Sequence, residues 1–200
     1  MVNENSANLD AYVEIAKAVI RAYVEKGETV AVNGGGIFFK NGEACPAPAL
    51  DYSPLQGERA GVFVSIKKTG ALRGCIGTIS PVRECVADEI VYNAINACSR
   101  DPRFYPVTPD ELADLTVSVD VLADAEPIET ADQLDPARYG VIVTRGGRRG
   151  LLLPNLEGVD TVGEQLAIAL SKAGIGQSEK YAMERFEVVR HDSGGSMRGG

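Results

Sequence analysis

The run Gly61-Val62-Phe63-Val64-Ser65-Ile66, followed by Lys67-Lys68-Thr69-Gly70 and then by Ala71-Leu72-Arg73-Gly74-Cys75-Ile76-Gly77-Thr78-Ile79, decides the fold. Its first piece is strand-like, its middle is a turn and its third piece returns as a second strand. The pair is therefore predicted to be a hairpin. Upstream, Leu9, Tyr12, Val13, Ala16, Val19, Ile20, Tyr23 and Val24 recur at spacings of three and four. That predicts an amphipathic helix from Leu9 to Lys26, ended by Gly27. Between helix and hairpin, Thr29 to Gln56 is poorly periodic and rich in turn formers. It predicts a long, partly ordered connection with a short strand or hairpin around Ile37-Phe38-Phe39.

Downstream, Ser80-Pro81 has the form of an N-cap followed by proline at the first helical position. The helix it would open carries Val82, Val86, Ile90, Val91, Ala94, Ile95 and Cys98 on one stripe. Asp101 to Pro106 is a proline-stiffened connector. Thr108-Pro109-Asp110-Glu111 is a capping box that starts a short helix. Leu115 to Leu122 alternates between apolar and polar residues, as a half-buried strand does. Tyr139–Thr144 and Gly150–Leu153 predict two strands joined by Arg145-Gly146-Gly147-Arg148-Arg149. Thr161-Val162-Gly163-Glu164 opens another helix, and Arg185 to Arg190 predicts a last strand. Hairpins interleaved with helices argue against a purely parallel doubly wound sheet and predict an α/β chain of the α+β kind, with a mixed, largely antiparallel sheet flanked by helices.

The chain has 200 residues, 44% hydrophobic and 24% charged, with a formal net charge of -8. This suits one domain at 9–191, between a flexible start at 1–8 and a glycine-rich, disordered tail at 192–200. No apolar run approaches the roughly 20 residues needed to cross a bilayer. Met1-Val2-Asn3-Glu4-Asn5 carries no basic n-region, so no membrane association and a cytoplasmic location are expected. The acidic balance argues against a general nucleic-acid binder.

Cys45, Cys75, Cys85 and Cys98 form no C-x-x-C pair, and the one histidine, His191, is far from all of them in sequence. Zinc is disfavoured by that spacing, so no metal and no cofactor are expected. A single histidine also removes most imidazole-based triads. The densest chemistry is Leu72-Arg73-Gly74-Cys75-Ile76-Gly77. Gly74 and Gly77 would let a ligand approach the backbone. Arg73 would share the face of Cys75 on a regular strand and favour its thiolate. Alternatively, Cys75 is a small buried residue and Arg73 pairs with a carboxylate. Asp101 and Arg103, locked around Pro102, form either an anion clamp or a structural ion pair. The Arg145–Arg149 turn is either an anion or RNA contact or a charged hairpin tip; the absence of interleaved aromatics favours the tip. Asn33-Gly34-Gly35-Gly36 lacks the Lys-Ser/Thr of a P-loop and reads as a flexible loop.

The strings Leu72-Arg73-Gly74-Cys75-Ile76-Gly77, Asp101-Pro102-Arg103-Phe104, Gly150-Leu151-Leu152-Leu153-Pro154 and Lys172-Ala173-Gly174 together resemble the AMMECR family over almost the whole chain. Tyr139 through Leu156-Glu157-Gly158-Val159-Asp160-Thr161 is most similar to its bacterial branch, AmmeMemoRadiSam system protein A. The resemblance implies two unequal lobes with the LRGCIG segment near a cleft between them. It also implies gene association with a Memo-like protein and a radical SAM enzyme. It implies no particular reaction. The expectation is thus a component of a redox or radical-linked pathway. Cys75 would be its reactive thiol, beside Arg73, with Gly74, Gly77, Asp101 and Arg103 holding an anionic small molecule. The alternative is a non-catalytic scaffold for the Memo-like or radical SAM partner.

Overall fold

The computed structural model describes residues 9–33 and 35–192. The expected flexible start at 1–8 and the expected tail from residue 193 lie outside the described residues; Asp192 itself closes the last strand. The chain divides into two compact units: one runs through Val121 and resumes at Arg190, and the other spans Leu122–Val189.

In the first unit, α1 (Ala11–Lys26) is capped by Asp10, whose Oδ1 accepts the N–H groups of Tyr12 and Val13 at 2.9 and 3.4 Å. Gly27, at φ 68°, ends it in the left-handed conformation. The segment after it holds the expected short hairpin around Ile37-Phe38-Phe39. Strands β1 (Val30–Asn33) and β2 (Gly36–Phe39) pair antiparallel, with Val30 opposite Phe39 and Val32 opposite Ile37; Gly34, in the expected flexible loop, lies outside the described residues. The N–H of Cys45 then bonds to Ile37, and a short helix α2 (Pro54–Gly57) buries Leu55 beside Tyr52.

Strands β3 (Gly61–Lys68) and β4 (Ala71–Gly77) form the expected hairpin, with Ser65 opposite Cys75 and Phe63 opposite Gly77. Val62, Val64 and Ile66 are fully buried on the face that packs against α3 (Val86–Ser99). This helix starts six residues after the predicted Ser80 cap. Buried Glu89 takes the N–H groups of Val82 and Arg83 at 2.9 and 2.8 Å, holding 80–85 as a bent loop. Val82, expected on the buried stripe, is exposed as a result.

A 3-10 helix (Pro109–Asp114) follows, its capping box formed by Thr108 and Glu111. Strand β5 (Leu115–Leu122) buries Leu115, Val117 and Val119. With β10 (Val188–Asp192) it completes a sheet of order β10-β5-β3-β4, in which β4 is an edge.

The second unit holds β6 (Glu126–Ile128), β7 (Gly140–Arg145), β8 (Arg148–Leu152), α4 (Val162–Ala173) and β9 (Ala182–Phe186). Its sheet order is β6-β9-β7-β8, antiparallel throughout, with α4 packed on β7 and β8. Val141, Val143, Leu152, Ala169 and Leu170 form its core. The single last strand expected at 185–190 is two strands in different sheets: the break falls at Glu187, whose C=O accepts from Ala123. The α+β class and the antiparallel pairing hold, with the strands of the described residues distributed over three sheets. None of the described helices is long and apolar enough to cross a membrane.

Candidate functional site

Cys75 sits on an edge strand, so one side of its backbone has no strand neighbour. The connector after α3 supplies the missing partners. The Cys75 N–H donates to Asp101 Oδ2 at 2.9 Å, and the Cys75 C=O accepts from Arg103 Nη2 at 3.1 Å. With both groups pointing outward, Ser65 and Cys75 are a pair with no backbone bonds between them, the kind whose side chains stand closest. The Ser65 hydroxyl accordingly lies 3.3 Å from the Cys75 sulfur.

Asp101 is 4% exposed and grips Arg103 through a fork, Nε to Oδ1 at 2.9 Å and Nη2 to Oδ2 at 2.7 Å. The Arg103 side chain is itself 53% exposed and lies against the Cys75 side chain. These bonds, with the N–H groups of Cys75 and Arg103, hold the Asp101 carboxyl well below the usual carboxylate range. A second guanidinium, that of Arg190 on β10, forks buried Asp120 at 2.7 and 2.9 Å and is close enough to feel the Cys75 thiol electrostatically.

Arg73 goes elsewhere. The pairing slips between Ile66 and Lys67, leaving Arg73 as the extra residue of a β-bulge. Its Nε and Nη2 fork Glu111 at 3.0 and 2.8 Å, while Nη1 and Nη2 bond to the carbonyls of Tyr105 and Pro106. Every nitrogen of the group is thereby engaged. With Lys68 added at 3.0 Å, Glu111 falls to a pKa of about 2, the Arg73 bonds being the main cause. Gly74 and Gly77 both serve packing: a Cβ on Gly74 would stand 2.2 Å from the Ala97 C=O of α3, and one on Gly77 would meet the Phe63 ring at 2.2 Å. The structure thus brings Cys75, Asp101 and Arg103 together and directs Arg73 to a separate cluster.

Ser65, Asp120 and Arg190 were missed from sequence. Asp120 did carry a signal, as the polar member of an alternating strand, but the partnerships of Ser65 and Arg190 depend on strand register and order. All four cysteines are free. Burial pushes the thiols of Cys45 and Cys85 up, and that of Cys98 to about 11. Among the described residues no group of three His, Cys, Asp or Glu is placed to hold a metal ion. The arginines of the Arg145–Arg149 turn are engaged: Arg145 and Arg148 with Glu179, and Arg149 with Glu184.

A helix-backed antiparallel sheet with a thiol beside a carboxylate-forked guanidinium, followed by a second small α+β unit, defines the class of protein that the LRGCIG and DPRF strings suggest. The chain belongs to the AMMECR1 family, whose model matches residues 13–191. It is 47% identical to a Thermotoga maritima protein over 90% of this chain and 96% of that one. It is 50% identical over 91% of its length to a Clostridium acetobutylicum protein, of which it spans only 36%. The crystal structure of an uncharacterized protein from Pyrococcus horikoshii is similar at TM-score 0.73 and 29% identity, covering 90% of this chain and 88% of that one.

Proposed function

We propose that the surface around Cys75 is a small-molecule site, in which Arg103 receives an anionic group and the Cys75 thiol acts as the nucleophile. The observation that carries this reading is the Arg103 guanidinium, immobilised by a buried carboxylate yet half exposed, lying against Cys75, a half-buried residue whose sulfur a serine hydroxyl also reaches. A forked guanidinium is well suited to carboxylate and phosphate. In this reading Arg190 adds a second positive charge, and Arg73 fixes the loop that carries Arg103. The partners are a Memo-like protein and a radical SAM enzyme, the products of genes associated with the resembled family. Four free thiols fit a reducing, cytoplasmic setting.

Alkylation of the folded protein, followed cysteine by cysteine by mass spectrometry, tests the proposal. Cys75 is expected to react ahead of Cys45, Cys85 and Cys98, whose thiols burial holds in the protonated form. Equal or slower reaction at Cys75 overturns it. In a reconstituted mixture with the two partner proteins, Cys75→Ser should abolish any small-molecule conversion that the wild type supports.

A second reading, the non-catalytic adaptor, is favoured by Tyr105. This residue is 92% exposed, on backbone that Arg73 fixes by bonding to its carbonyl. A rigidly presented aromatic is a common anchor in protein interfaces. Under this reading Tyr105→Ala weakens partner binding and Cys75→Ser leaves it intact.

A further inference from the structure

An open groove of about 980 Å³ in the first unit lies among residues that the Cys75 site does not use. Lys40, Arg59 and Arg83 line it, with Tyr92, Glu84 and Asp88. Although acidic side chains outnumber basic ones by 28 to 20, the arginines at 73, 103, 138, 145, 148, 149, 185 and 190 are each bonded to a carboxylate. Lys40, Arg59 and Arg83 are among the described cations that form no ion pair, and all three line this one groove.

Part of the groove is pre-built. The loop bearing Arg83 is fixed from below by Glu89, a fully buried carboxylate that accepts the N–H groups of both Val82 and Arg83. Above it, the Arg83 guanidinium lies 4.0 Å from the centre of the Tyr92 ring. Stacking holds a guanidinium in place while leaving its edge free to donate. Glu84 and Asp88 add acceptors to the same wall, and apolar side chains of α3 contribute to its lining.

We infer that this groove binds a small molecule carrying phosphate on a planar ring with hydrogen-bond donors, the chemistry of a nucleoside phosphate. Lys40 and Arg59 take the phosphate, the Arg83–Tyr92 stack takes the ring, and Glu84 and Asp88 accept from its amino or hydroxyl groups. A plain anion would use only the cations and be repelled by the two carboxylates. The volume suits a ligand of this size.

Titration calorimetry of the full chain with ADP, AMP, adenosine and inorganic pyrophosphate tests the inference. Saturable binding of ADP or AMP is expected, at least about tenfold tighter than either pyrophosphate or adenosine. Lys40→Gln and Arg59→Ala should weaken ADP about tenfold while leaving adenosine unchanged, and Arg83→Ala should remove the advantage of ADP over pyrophosphate. All three side chains lie on the surface, and an unchanged melting temperature confirms that the variants fold. Three results overturn the inference: no saturable nucleotide binding, pyrophosphate binding as tightly as ADP, or ADP affinity indifferent to all three substitutions.

Discussion

The buried carboxylate of Asp101 accepts the outward N–H of Cys75 at 2.9 Å, across 26 residues of chain. Through this bond and the matching one from Arg103, the connector after α3 satisfies an edge strand at the residue where chemistry is proposed. An unpaired edge is both a pairing hazard and a source of local motion. Asp101→Asn removes the charge that holds Arg103 and weakens the bond to Cys75. A loss of about 1–3 kcal/mol in urea unfolding is expected. An unchanged midpoint would show that the edge does not need the ion pair.

Glu111 predicts acid sensitivity. Its pKa of about 2 in the folded protein, against 4.5 for the ordinary group, means that it contributes stability above about pH 4.5 that is lost as pH falls toward 2. The contribution at neutral pH is on the order of 3 kcal/mol, reduced by solvent around the partly exposed Lys68. Urea midpoints measured from pH 7 down to pH 2 should fall steeply in that window. Glu111→Gln should lower the neutral midpoint and flatten the acid slope. Asp101, depressed further, should lose its contribution only in stronger acid.

Gly74 and Gly77 are expected to differ in their tolerance. Alanine at Gly74 drives a methyl into the Ala97 carbonyl, which α3 cannot withdraw without moving away from the sheet. At Gly77 the obstacle is the Phe63 side chain, which can rotate. Gly74→Ala should cost about 2–3 kcal/mol or more, and Gly77→Ala about 1 kcal/mol. Thermal melts of the two variants would decide it; equal losses would mean that Phe63 is as immobile as the helix.

Asp10 should matter beyond its role as a cap. Its Oδ1 caps α1, and its Oδ2 lies 2.7 Å from Nδ1 of His191, whose ring stacks on Tyr12 at 3.8 Å. Asp10→Ala removes both a cap and a tie to the last strand, at an expected cost of about 1–2 kcal/mol. His191→Ala should cost less, because the cap survives. Chemical denaturation of both variants checks the order.

Local pattern carried most of the fold. The helices at 11–26 and 162–173, the β3–β4 hairpin and β5 follow from spacing and capping residues that operate within a few positions. Misreadings arose where a distant group intervened. Ser80-Pro81 has a cap's chemistry, but Glu89 claims the neighbouring amides from the helix below. Strict alternation puts Arg73 beside Cys75, but a bulge invisible in the sequence makes it an extra residue and hands it to Glu111. The Asp101–Arg103 pair was legible because Pro102 keeps both members within one rigid turn. Its meeting with Cys75 was suggested only by the resemblance, because it depends on which strand lies at the sheet edge.

The Arg145–Arg149 hairpin supplies the last prediction. Three closely spaced arginines offer either a polyanion contact or a charged hairpin tip, and the ion pairs favour the tip: Glu179 bonds Arg145 and Arg148 at 2.9 Å each and Glu184 bonds Arg149 at 3.3 Å. Groups already neutralised release few counterions on meeting a phosphate backbone. The wild type should therefore show no salt-dependent retention of single-stranded RNA in filter binding near physiological ionic strength. The double variant Glu179→Gln, Glu184→Gln frees the three guanidiniums. It should gain weak binding with a log–log salt slope of roughly -2, about 0.7 per phosphate contact. If the wild type itself binds RNA, and replacing Arg148 and Arg149 abolishes that binding, the ion pairs yield to phosphate and the hairpin is a nucleic-acid contact after all.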